Sequence, residues 1–107
     1  MMQTTFRNFG VCQIHFARYI NGRTAIRLTG AEGFPIATAT VNAPNVPLQK
    51  GEVIIKDYSE NEGIFMDLIR DNVIEDTGRR VPLGYAEGKI AKLTEEALKW
   101  ISKKEIE

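Results

Sequence analysis

The amino-acid sequence predicts an α+β domain: a twisted, mainly antiparallel sheet, a central helix over about 59–72 and a C-terminal helix over about 94–105. Three observations predict it. Apolar and polar residues alternate through 11–19 and again through 23–28, the period of half-buried strands, with Asn21-Gly22 between them. Val53, Ile54 and Ile55 form a continuous apolar run of the length of a buried strand. Ile64, Phe65, Leu68 and Ile69 recur at the spacing of an amphipathic helix, with Asp67, Arg70 and Asp71 on its other side.

In the first strand Cys12, Ile14 and Phe16 share one face, and Gln13 and His15 the other. The returning strand sets Thr24, Ile26 and Leu28 against Arg23, Ala25 and Arg27. A two-residue loop at Asn21-Gly22 would put Ile26 opposite Ala17 and Leu28 beside His15, dividing the apolar residues between faces. A three-residue loop with Gly22 in the left-handed conformation instead sets Phe16 against Ile26 and Ile14 against Leu28, and is the expected hairpin. Residues 30–34 read as a turn, and 35–41 as a third strand whose Ala37 and Ala39 imply close packing. Residues 42–51, with Pro44 and Pro47, read as a loop.

The fourth strand, 52–56, leads to Ser59 and Glu62, which have the spacing of a capping box for the central helix. Beyond that helix the pattern gives an extended 73–76, a Thr77-Gly78 turn and a strand over 80–83. An interruption over 84–88 and a strand over 89–93 follow. Thr94 caps the last helix, in which Ala97, Leu98 and Ile101 form an apolar stripe beside Trp100. Glu95 and Glu96 at its start, and Lys103 and Lys104 near its end, complement its dipole. No repeat or low-complexity segment divides the chain, so 1–107 reads as a single domain, with Met1 and Met2 as a start region of weak structural expectation.

A chain of 107 residues can hide roughly two-thirds of its unfolded surface and support a core unaided. Hydrophobic content of 43% and charged content of 26% are those of a globular protein, which excludes a disordered or fibrous chain. Fourteen basic residues balance fourteen acidic ones. That balance argues against a protein whose main task is to coat nucleic acid, although it leaves room for a local basic patch. The lone Cys12 cannot form an internal disulfide, which favours a reducing, cytoplasmic location. The absence of a long apolar segment predicts neither export nor a membrane span.

Cys12 and His15 have a Cys-x-x-His spacing, but strand positions three apart project to opposite faces and no second Cys or His completes a tetrahedral set. Neither a metal site nor a Cys-His catalytic pair is expected there, and Cys12 reads as a small core residue. Asp57, Glu60 and Glu62 are carboxylates that, with the Asn61 amide, suit a hard cation. Helix capping and acids placed at a positive helix end account for the same residues without a ligand, and that explanation is preferred. Arg18, Arg23 and Arg27 on the hairpin, with Arg79-Arg80 at a later turn, offer a basic surface around Tyr19 that could stack on and neutralise single-stranded nucleic acid. Solvated arginines on the outside of a hairpin are ordinary, and with zero net charge and no recognition helix or RNA-binding signature that explanation is preferred. The glycines form no phosphate-cradling loop and there is no Gly-x-Ser-x-Gly elbow, so no cofactor and no catalytic residue are expected.

Three segments together resemble a known group: Tyr19-Ile20-Asn21-Gly22-Arg23-Thr24-Ala25-Ile26-Arg27-Leu28, Ala37-Thr38-Ala39-Thr40-Val41-Asn42 and Ile55-Lys56-Asp57-Tyr58-Ser59-Glu60-Asn61-Glu62-Gly63. They resemble a family of small bacterial proteins of unknown function, often encoded on phages, plasmids and conjugative elements. The likeness runs from about Tyr19 to Leu93 and implies a standalone accessory protein, with no catalytic residues to transfer. The expected function is therefore a non-enzymatic binding protein acting on another protein and modulating a host system. Asp57, Tyr58, Glu60, Glu62, Arg18, Arg23 and Arg27 are its candidate partner-binding residues. Two alternatives stay open: a nucleic-acid binder using the hairpin arginines, and a ligand-binding or enzymatic domain with a pocket near Asp57–Glu62. An exposed edge strand also leaves a homodimer open.

Overall fold

A computed structural model describes residues 2–106, with side chains through residue 103; Met1 and the side chain of Lys104, both noted above, lie outside the described residues. The fold is α+β, as the patterning predicts, and its strands divide over two four-stranded antiparallel sheets. The strands are β1 (Gln3–Thr5), β2 (Val11–Arg18), β3 (Thr24–Thr29), β4 (Pro35–Thr38), β5 (Thr40–Val41), β6 (Glu52–Ile55), β7 (Ile74–Leu83) and β8 (Ala86–Leu93). The helices are α1 (Ile64–Arg70) and α2 (Glu95–Ile106). The first sheet, sheet A, has the order β1-β2-β3-β4, and sheet B the order β5-β6-β8-β7.

The β2–β3 hairpin forms in the register that its apolar residues require, with Phe16 opposite Ile26 and Ile14 opposite Leu28. Its loop holds three residues between Tyr19 and Arg23, closed by bonds from Gly22 N to Tyr19 O and from Tyr19 N to Arg23 O, both 2.8 Å. Gly22 has φ +85°, the left-handed conformation this loop demands.

Ala39 is the joint between the sheets. Its N–H donates to Ile26 O, continuing sheet A, while its carbonyl accepts from Lys56 N, opening sheet B, both at 2.8 Å. The expected strand over 35–41 is thereby split into β4 and β5. Ala39 is fully buried, and its small side chain lets the backbones of β3 and β6 approach this closely.

The core lies between the sheets. Cys12, Ile14, Ile26 and Leu28 come from sheet A, Val53, Ile55, Ala91 and Leu93 from sheet B, and Ile64, Phe65 and Leu68 from α1. β6 is buried on both faces, which explains why its apolar residues are consecutive rather than alternating. On the side away from that core, Ile54 packs over Gly88, where an added Cβ would meet Ile54 Cγ2 at 2.6 Å and Leu83 Cδ1 at 2.7 Å. Gly88 is thus a packing position within β8, and the expected interruption over 84–88 contracts to a two-residue Gly84-Tyr85 turn with Gly84 at φ +65°.

Two further local expectations are corrected. Thr77-Gly78 does not separate two strands. β7 runs continuously past it as a bulge, in which Thr77 Oγ1 donates to Ile90 O at 2.6 Å and then accepts from Arg79 N at 3.2 Å. Ser59 and Glu62 do not form a capping box either. Ser59–Asn61 is a single 3-10 turn with Ser59 at φ +53°, the chain extends at Glu62, and the α-helix starts only after Gly63, at φ +96°. At the far end Thr94 does cap α2: its Oγ1 accepts from Ala97 N at 3.1 Å and donates to Asn72 O at 2.7 Å. β1 was not legible in the sequence, being three residues long.

Candidate functional site

The carboxylates after β6 are placed by the strand that precedes them, and each is drawn to a different neighbour. Asp57 caps α1 across the break at 62–63. Its Oδ1 accepts from Gly63 N and Phe65 N, both at 3.0 Å, and its Oδ2 accepts from Lys89 Nζ of β8 at 2.8 Å. Only 11% of its side chain is exposed, so both oxygens are committed to the fold. Lys89 Nζ also lies 4.9 Å from the centroid of the Phe65 ring, and Arg80 Cζ lies 5.4 Å from it, which places two cations over one buried aromatic.

Glu60 turns back to Lys56, which also stands over the ring of half-buried Tyr58. The two partners act on each other: the Lys56 ammonium lowers the Glu60 carboxyl and Glu60 raises Lys56. Glu62 offers its carbonyl, which accepts from Arg7 Nε and Nη2. Asn61 is buried and donates to Thr38 O at 2.7 Å. The stretch therefore ties β4, β8 and the 6–10 turn to the start of α1. Among the described residues, no group of three His, Cys, Asp or Glu is placed to hold a metal ion.

The hairpin arginines are likewise separated. Arg18 pairs in register with Thr24 and donates to Gly22 O at 3.1 Å, on the opposite face from Arg27. Arg23 holds the 42–51 loop, donating to Ala43 O at 2.8 Å and to Val46 O. Tyr19 is not a free ring at their centre; its hydroxyl meets Thr40 Oγ1 at 2.9 Å. Arg79 and Arg80 belong to sheet B, paired with Glu52 and Asp76. The guanidinium of Arg79 holds the nearly buried Glu52 carboxyl below the usual range, and Arg80, helped by Gly78 N–H, holds Asp76 down at about 2.

Of the seven candidates, Arg18, Arg27, Glu60 and Glu62 are exposed, and Arg27 is the one in the middle of a sheet face. It lies on the outer face of sheet A, opposite His15 in β2 and Thr38 in β4. One step along the sheet, Gln3, Gln13 and Thr29 form a parallel row. Arg27, His15, Thr38, Gln3 and Gln13 are all exposed, and His15 Nε2 and Thr29 Oγ1 are 2.7 Å apart. These two rows carry no carboxylate. The sequence held a signal for this face that its total charge conceals. Residues 1–50 contain five basic residues and one acid, Glu32, whereas 51–107 contain nine basic and thirteen acidic residues. Arg7 and Arg23 donate to main-chain carbonyls, which orient a guanidinium without cancelling its charge.

A concavity of about 370 Å³ lies between α2 and β1 and includes Gln3, Asp71, Glu96, Trp100 and Lys103 in its lining. Its Asp71 carboxylate is already engaged by Arg70, by Thr4 Oγ1 at 2.7 Å and by Thr5 N at 3.3 Å, which together depress its pKa. The lining is of mixed sign and has no unpartnered buried polar atom.

No helix among the described residues is long and apolar enough to cross a membrane. Comparison with family models, with curated proteins and with solved structures finds no match to this chain.

Proposed function

We propose that this is a small non-catalytic binding protein that engages an anionic macromolecular partner through the outer face of sheet A. The observation that supports the reading is the uncovered pair of rows around Arg27 and His15, on a sheet whose segment of chain holds a single acid. An opposite-charge partner gains from such a face by long-range attraction as well as contact, and the effect weakens with salt. The carboxylates at 57–62 serve the fold in this reading, so a pocket there is not part of it. The cytoplasmic location belongs to the same proposal and rests on the lone Cys12; the mobile-element setting rests on the resemblance of the quoted segments.

Heparin, a generic polyanion, tests the reading. Arg27→Glu elutes from immobilised heparin at lower salt than the parent protein. Lys99→Glu makes the same change in net charge on exposed α2 and elutes with the parent. Equal elution of the two variants, or no retention of the parent protein, overturns it.

A further inference from the structure

We infer that the anionic partner is single-stranded nucleic acid, lying across the outer face of sheet A from the 6–10 and 30–34 turns toward Arg27 and His15. The inference rests on the reading of sheet A as the working face and adds the partner's chemistry.

Two exposed aromatic rings stand at one end of sheet A. Thr5 pairs with Val11, and Thr29 pairs with both Gln13 and Pro35. The turns holding Phe9 and Phe34 therefore lie at the same end of the strands. Phe9 is 54% exposed and Phe34 72%. Phe9 is also fixed in place, because its ring stacks on buried Phe6 at 6.0 Å between centroids and 19° between planes. An exposed ring fixed in this way is a stacking platform available to any base. Arg7 stands at the same turn, its guanidinium anchored on Glu62 O and 5.4 Å from the Phe6 centroid, and supplies a rim cation for the backbone.

Beyond the rings, the rows Gln3, Gln13, Thr29 and His15, Arg27, Thr38 present amide, hydroxyl, imidazole and guanidinium groups. Such groups pair with base edges, which only an unpaired strand displays in full. A duplex presents mainly phosphates to a flat sheet, and its neutralisation needs more cations than this face offers. An acidic protein surface would likewise demand guanidinium or ammonium groups, and would leave both phenyl rings without a role. Exposed rings, hydrogen-bonding rows and modest positive charge together select the single strand.

Fluorescence anisotropy with the full chain tests this. The probes are a labelled oligothymidylate of about 12 nucleotides, a duplex of equal length and a polyglutamate peptide, each across a salt series. The single strand binds at least about tenfold more tightly than the duplex. Phe34→Ala and Phe9→Ala each weaken that binding about fivefold or more while leaving the salt slope unchanged. Arg27→Glu weakens it and lowers the slope by about one. Equal or tighter duplex binding overturns the inference, as does parental affinity in both phenylalanine variants. Arg27-dependent binding of polyglutamate without binding of the oligonucleotide overturns it while sparing the proposed function. Failure of every polyanion to bind overturns both.

Discussion

Asp57 initiates a helix whose first residue lies seven positions downstream, because the intervening 3-10 turn and Gly63 fold the chain back over its carboxylate. Loss of that carboxylate removes the cap of α1 and the counter-charge of Lys89 together. Asp57→Ala is therefore expected to cost about 2–4 kcal/mol of stability. Asp57→Asn keeps one carbonyl oxygen for Gly63 and Phe65 N–H and loses less. Glu60→Ala, at an exposed pair, leaves the urea unfolding midpoint in place. Urea denaturation of the three variants checks the order. The sequence marked this stretch as the start of a helix, but short-range spacing pointed to Ser59 and Glu62. A cap that reaches six and eight residues along a bent chain has no fixed sequence period. Ser59 at φ +53° lies outside the extended conformation that an N-cap requires.

The elements that were readable in sequence are those decided by a choice between faces. Only one loop length keeps Phe16, Ile14, Ile26 and Leu28 together, so the β2–β3 register followed from the apolar pattern. The β7 bulge did not follow, because Thr77-Gly78 signals a turn and a bulge with the same residues; the side chain of Thr77 reaching Ile90 O decides between them. That bulge also bears on self-association. β7 is an edge strand, and its bulge, Pro82 and the charges at Glu75, Asp76, Arg79 and Arg80 are features that discourage pairing with a second copy. Gly88 decides the packing of this hairpin on β6. Gly88→Ala places a methyl group against Ile54 and Leu83 at well under contact distance and is expected to cost about 1–3 kcal/mol by overpacking. A fall in the thermal midpoint with retained far-ultraviolet circular dichroism checks it.

At the scale of the molecule, two properties were hidden by averaging. The strands read as one sheet because a single residue, Ala39, passes the chain from sheet A to sheet B, and no turn signal accompanies the change. The zero net charge likewise conceals a division in which the segment building sheet A and β5 is basic while the remainder is acidic. That division, and the outward row of His15, Arg27 and Thr38, are the grounds on which the proposed working surface is sheet A rather than the acidic start of α1. The most direct test is amide chemical-shift mapping of the full chain titrated with a heparin hexasaccharide. The largest changes are predicted at Gln13, His15, Arg27, Thr29 and Thr38. Changes centred on 57–63 or on α2, with sheet A unmoved, would contradict the account.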